Sequence, residues 1–303
     1  MDHTALTFTL PDGRTLGYAL YGSSSPDAFQ LFYFHSYPCS RLEASILASH
    51  ALELNIRLIC PDRPGIGLSS PQAKRKILDW PADVIALANY LQLPTFSIIA
   101  YTLGAQYALA CLYALPRERL RGVEIMAGYF PPRLSVVQQV SIVAFKPMYH
   151  VLNAGISHAI GSAINFQFGR LAREADPRAF YEECEKDMKL RPEIERTALQ
   201  GVEKLLLWEP MREALRPDVT GKAFEWEMKL QTGKWGFELN EGCDWSRVTV
   251  WHGSADPNVP IDNVMLAVDK MRCELKLLQG QGHAGVLVYY GKTIMEHALQ
   301  KAR

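Results

Sequence analysis

Three short apolar runs constrain this chain more than any other feature: Phe29–Phe34, Ile56–Cys60 and Phe96–Tyr101. A run this short, apolar at nearly every position, suits a strand covered on both faces, which has no solvent side to mark with polar residues. Segments with helical periodicity lie around them, at about Arg41–Leu54, Ile77–Leu91 and Leu103–Leu115. Gly122–Met126 is a further strand. Strand and helix therefore alternate. Parallel strands need long crossovers, and helices supply them. The expected core is a mostly parallel sheet with helices on both faces. At the start of the chain, Thr4–Leu10 and Thr15–Tyr21 alternate apolar and polar residues around Pro11-Asp12-Gly13-Arg14, which predicts an antiparallel hairpin.

After Met126 the pattern changes. From Pro131 to about Trp235 there are helical clusters, Leu134–Phe145, Val151–Phe168, Ala179–Lys189 and Arg196–Trp208, and no strand pattern. Strands resume at Val248–Trp251 and Glu274–Leu278, with helices at Ile261–Lys270 and Val286–Gln300. The expected organisation is an α/β core from residues 1–130 and 236–303, with a helical insertion at 131–235. A long insertion at such a point is expected to act as an active-site lid. Its aromatic and apolar content points to a lipophilic pocket and a small apolar organic substrate.

The bulk properties narrow the partners. Lys+Arg and Asp+Glu both total 32 and no long basic run occurs, so no nucleic-acid partner is expected. Met1-Asp2-His3-Thr4 has neither the basic region nor the apolar run of a signal peptide, and no apolar run reaches the length of about 18 residues a membrane span needs. The expectation is a cytoplasmic protein with no membrane partner. The six cysteines lack CxxC or Cys/His spacing, which suits small apolar fillers in a reducing compartment and not a zinc site. Asp62-Arg63-Pro64-Gly65-Ile66-Gly67 lacks the full GxGxxG spacing of a dinucleotide fingerprint, so no cofactor is expected. The sequence carries no signal for an oligomeric state.

Five segments at predicted strand ends carry the chemistry. They are His35-Ser36-Tyr37-Pro38-Cys39-Ser40-Arg41, Cys60 to Ser69, Ala100-Tyr101-Thr102-Leu103-Gly104, Trp251 to Asp256, and Gly280-Gln281-Gly282-His283. In this order they give the chain a resemblance to the α/β-hydrolase superfamily over nearly its whole length. The resemblance implies a mostly parallel, eight-stranded sheet with an inserted helical lid. The family order of nucleophile, acid and base maps onto Thr102, Asp256 and His283. His283 would serve as general base and then acid, and Asp256 would hold its tautomer and stabilise its charged form. The oxyanion donors implied are the backbone N–H groups of Tyr37 and Leu103, with Ser36 beside them as a binding residue.

Thr102 stands where the family carries serine. The elbow position is strained, and a β-branched side chain at positive φ is an outlier. Threonine attacks when a base is adjacent, so a Thr–His–Asp triad is one reading. Another leaves Thr102 passive while the His283–Asp256 dyad acts on water, a hydroxyl or an acidic carbon, as in epoxide opening, cyclisation or a lyase-type step. A third is a non-catalytic binding protein on the same scaffold. Ala100 replaces the first elbow glycine, and Ser36 and Cys39 replace the two glycines of the oxyanion loop. Such departures suit one dedicated substrate, as in a tailoring step of specialised metabolism. His35 and His252 are expected to be structural, and Asp62 to serve a structural Asp–Arg pair or a turn. Asp256, which precedes Pro257, also has the makings of a turn stabiliser. Glu124, in a buried strand pattern, needs a partner or an exposed edge.

Overall fold

A computed structural model describes residues 3–130, 164–217 and 222–302. Its centre is an eight-stranded sheet in the order β1-β2-β4-β3-β5-β6-β7-β8. The strands are β1 (Leu6–Thr9), β2 (Thr15–Gly22), β3 (Phe29–Phe34), β4 (Ile56–Pro61), β5 (Phe96–Tyr101), β6 (Leu120–Met126), β7 (Val248–Gly253) and β8 (Glu274–Leu278). β1 and β2 form the antiparallel hairpin, β2 runs antiparallel to β4, and the strands from β4 to β8 pair in parallel.

The apolar runs become buried strands because both faces are covered. In the core helices, α1 spans Ala48–Glu53, α2 Trp80–Tyr90 and α3 Ala105–Ala114. Side chains alternate along each strand. Phe32, Phe34, Ile98 and Ala100 pack on one face with α2 and α3, while Leu31, Tyr33, Ile99 and Tyr101 pack on the other with α1. Each such apolar side chain, once fully buried, contributes roughly 1.5–3 kcal/mol. Pro81 sits in the first turn of α2, where a missing N–H costs nothing.

Between β6 and β7 the described chain is helical. It contains α4 (Arg178–Leu190), α5 (Glu193–Ala198), α6 (Leu205–Leu215) and α7 (Lys222–Thr232). The expected cluster Leu134–Phe145 and most of Val151–Phe168 lie outside the described residues. The cluster Arg196–Trp208 is not one helix. The chain turns between α5 and α6, where Gly201 takes a left-handed φ of +66°. Ion pairs tie the insertion to the core, among them Glu213 of α6 with Arg41 at 3.0 Å, and Glu227 of α7 with Arg63 at 2.7 Å and with Arg75.

The last part of the core adds α8 (Ile261–Met271) and α9 (His283–Lys301). α8 lies over β7 and β8 on the sheet face that also carries α2 and α3, and α9 lies on the other face with α1. All six cysteines are free thiols. No helix among the described residues is long and apolar enough to cross a membrane. In-register parallel pairing, such as Tyr101 with Met126, Met126 with Trp251 and Gly253 with Leu278, aligns the carboxyl ends of the central strands. The loops after β3, β4, β5, β7 and β8 therefore leave from one edge, where open parallel sheets carry their sites.

Candidate active site

Thr102 follows β5 directly and opens a tight turn, Thr102–Gly104, that feeds α3. Its φ is +44°, in the left-handed region that a β-branched residue avoids. Holding it there costs on the order of 1–3 kcal/mol, so the surrounding packing must impose it. Gly104 shows how tight the corner is: a Cβ there would stand 2.3 Å from the carbonyl oxygen of Phe34. Ala100 is fully buried, so its methyl group is accommodated in the core.

Asp256 and His283 meet. Asp256 Oδ2 lies 2.7 Å from His283 Nδ1. Asp256 Oδ1 accepts the backbone N–H groups of Asn258 and Val259 at 2.7 and 2.9 Å. The carboxylate thus stabilises its turn with one oxygen and meets the histidine with the other. Donation of Nδ1–H to this carboxylate leaves Nε2 as the acceptor nitrogen. Burial opposes charge on His283, but Asp256 outweighs it, and the imidazole pKa is raised above its ordinary value. Burial also opposes charge on Asp256, and His283 reverses that, leaving its pKa lowered. Among the described residues, no hydrogen bond joins the Thr102 hydroxyl to the His283 ring, whose partner is Asp256.

His283 is the first residue of α9, which starts earlier than the expected Val286. Its backbone N–H and that of Ala284 donate to the two carboxylate oxygens of Glu195, at 2.6 and 3.0 Å. The Tyr101 ring lies beside the imidazole, with centroids 5.3 Å apart. His252 is buried behind Asp256, with Nε2 3.1 Å from the carbonyl of Val259 and 3.7 Å from Asp256 Oδ2.

The loop after β3 is pinned from below. Ser36 donates its N–H to Glu43 Oε2 at 2.7 Å and its hydroxyl to Glu43 Oε1. Both donors of Ser36 are engaged there, which anchors the loop and leaves its hydroxyl oxygen as an acceptor. Tyr33 donates its hydroxyl to the same carboxylate at 2.9 Å. From the other side, Arg63 donates to the carbonyls of His35 and Ser36, at 2.6 and 3.0 Å. His35 spans the loop, with Nδ1 2.8 Å from the Ser36 carbonyl and Nε2 3.3 Å from the Arg63 N–H. Burial, with Arg63 nearby, drives its pKa well below the ordinary value, so it is neutral. Tyr37 follows Ser36, and the Tyr37–Pro38 peptide is cis. Leu103 occupies the first turn after Thr102, where a helix start leaves N–H groups outside the ladder.

Asp62 pairs with Arg41 at 2.9 Å and accepts the Leu68 N–H at 2.9 Å. Burial lifts its pKa to about 6 against the pull of Arg41. It braces two loops and is not joined to His283. Glu124 is buried and has partners: Trp251 Nε1 donates to it at 2.7 Å, and His297 Nδ1 lies 3.0 Å away. Sequence reasoning missed Glu43, Glu195 and Glu227, because each finds its partners only after folding. Among the described residues, no group of three or more His, Cys, Asp or Glu side chains could hold a metal ion.

The architecture has close counterparts among solved structures. An esterase from Exiguobacterium antarcticum superposes with a TM-score of 0.65 at 15% identity, covering 99% of this chain and 100% of its own. A carboxylesterase from the thaumarchaeon Nitrososphaera gargenis gives 0.64 at 15% identity, with 98% of each chain covered. One of the epoxide hydrolases from metagenomes of hot environments gives 0.59 at 18% identity, with 99% of each chain covered. No protein-family model and no curated protein matches the chain. The protein has the α/β-hydrolase fold.

Proposed function

We propose that this protein is a cofactor-independent hydrolase acting on a small apolar ester or lactone, with Thr102 as nucleophile, His283 as base and Asp256 as its partner. The observation that carries this reading is the 2.7 Å Asp256–His283 contact, with Thr102 held at φ +44° on the corner after β5. A strained residue kept at such a corner is a reason to look for function there. The esterase and epoxide hydrolase neighbours support hydrolytic chemistry.

In the first half-reaction the Thr102 oxygen attacks the carbonyl carbon and its proton passes to His283 Nε2. The backbone N–H groups of Tyr37 and Leu103 take the oxyanion. The C–O bond to the leaving alcohol then breaks as His283 returns the proton to it. Water then gives a proton to His283 and attacks the acyl carbon. The bond to the Thr102 oxygen breaks to release the carboxylic acid, and His283 returns the proton to that oxygen. The helical insertion acts as a lid over an apolar pocket. A dedicated substrate in specialised metabolism suits the altered elbow and loop.

A second reading has the dyad activate water directly, as in epoxide opening. The observation favouring it is that no hydrogen bond joins Thr102 to His283 among the described residues, although such bonds often tighten only with substrate bound. Intact mass after exposure to a fluorophosphonate separates the two. An adduct on the wild type, absent from Thr102→Ala and His283→Ala, supports attack by Thr102. A folded protein without an adduct sinks covalent catalysis and leaves the dyad.

A further inference from the structure

We propose that Glu195, supplied by the helical insertion, is a positioning residue for His283: it fixes the backbone that carries the base and adds a second negative charge behind it. This rests on the reading of His283 as the base. The N-cap of α9 is Gly282, which has no side chain to satisfy the first N–H groups of the helix. Glu195, only 2% exposed, fills that role from a distant part of the chain, with one oxygen on the His283 N–H and the other on the Ala284 N–H. Carboxylates are favoured at helix N-termini, and charged hydrogen bonds of this kind are the stronger sort.

The approach is built into the sequence on both sides. A Cβ on Gly282 would stand 2.3 Å from Glu195 Oε1, so the carboxylate reaches α9 only because that residue is glycine. Ala198 and Leu199 pack with Ala284, and Tyr289 donates its hydroxyl to the Thr197 carbonyl at 3.2 Å. α5 is thus seated on the first turns of α9 by apolar and polar contacts together.

The charges around the imidazole come from three regions. Asp256 on the loop after β7 and Glu195 on α5 favour the protonated ring, and Arg191 of the insertion opposes it. The Tyr101 ring faces the imidazole from β5, and His252 lies 3.7 Å from the far side of the dyad at Asp256 Oδ2. Glu195 therefore fixes the placement of the base and adds to the proton affinity that Asp256 chiefly raises.

The test is an NMR titration of the His283 ring in the full chain, assigned with His283→Asn, in wild type, Glu195→Gln and Asp256→Asn. Glutamine keeps the shape and one acceptor oxygen but loses the charge. Glu195→Gln is expected to lower the His283 midpoint by roughly half to one pH unit. It should also speed amide exchange at His283 and Ala284 by about tenfold, the consequence of losing one of two strong bonds. Asp256→Asn should lower the midpoint further. If Asp256→Asn moves the midpoint and Glu195→Gln does not, the positioning role is overturned and the dyad stands. If neither moves it, the reading of His283 as a partnered base fails, and the role of Glu195 fails with it.

Discussion

Glu195 and Glu227 both belong to the helical insertion, and they meet the two halves of the site in different ways. Glu195 bonds directly to the backbone of His283. Glu227 acts at one remove, holding Arg63, which in turn holds the carbonyls of His35 and Ser36. Glu227 is also shared with Arg75 and the Tyr107 hydroxyl. Burial pushes its pKa up, but Arg75 and Arg63 prevail and hold it at about 2. One carboxylate thus acts on a titrating group, whereas the other closes a buried network of ion pairs. The lesson is that a single insertion can govern reactivity at one point and rigidity at another.

The sharpest contrast should come from the dyad itself. Asp256→Asn is expected to lower kcat by about 10⁴, the cost typical of losing a triad aspartate, and His283→Ala by at least as much. Hydrolysis of p-nitrophenyl butyrate reads both, with thermal unfolding as the control for folding. Glu227→Ala comes next, and its effect should be on stability. Removing it strands two buried guanidinium groups and should cost roughly 3–5 kcal/mol in urea unfolding, with the His283 titration unmoved. A fall in the His283 midpoint in this variant would erase the distinction between the halves. Because the folded pKa of Glu227 is depressed, its stabilisation is present above the ordinary carboxylate pKa. It should be lost as pH falls through about 2.

The pH profile sharpens the other half. The folded pKa of His283 is raised, so the neutral base forms only above that raised value. The acid limb of kcat/KM should therefore lie above the ordinary histidine pKa, with activity falling tenfold per pH unit below it. The stabilising contribution runs the opposite way. It is complete below the unfolded imidazole pKa and is lost as pH rises through the folded one. Stability measured across that window should decline as activity climbs. The smallest effect is at the elbow. Thr102→Ser relieves a β-branched residue at φ +44° and should gain roughly 1 kcal/mol in unfolding free energy. No gain would mean that packing of the threonine methyl offsets the backbone strain.

Much of this was legible in the chain. Phe29–Phe34, Phe96–Tyr101 and Glu274–Leu278 are strands with the bounds the apolar pattern gives. Local signals also located the Asp256 and His283 loops, because turn residues mark strand ends. Within the cluster Arg196–Trp208 the periodicity did not show where one helix ends and the next begins, because it continues across the turn at Gly201. Ser36 was legible only in part. Its place beside the expected oxyanion donor was visible, but the carboxylate of Glu43 that takes both its donors was not.

The sequence by itself determined the layered α/β architecture, the helical character of the described chain between residues 164 and 232, and the chemical types at the strand ends. These depend on periodicity and turn chemistry, which are local. Only the tertiary structure decided which charges meet. Asp62 could have paired with adjacent Arg63, yet Arg41 took it, while Arg63 went to Glu227, far along the chain. Glu195, unmarked in its own helix, lies against the N-terminus of α9. A buried charge takes the partner that packing brings within reach, and its own neighbours in the chain do not encode that choice.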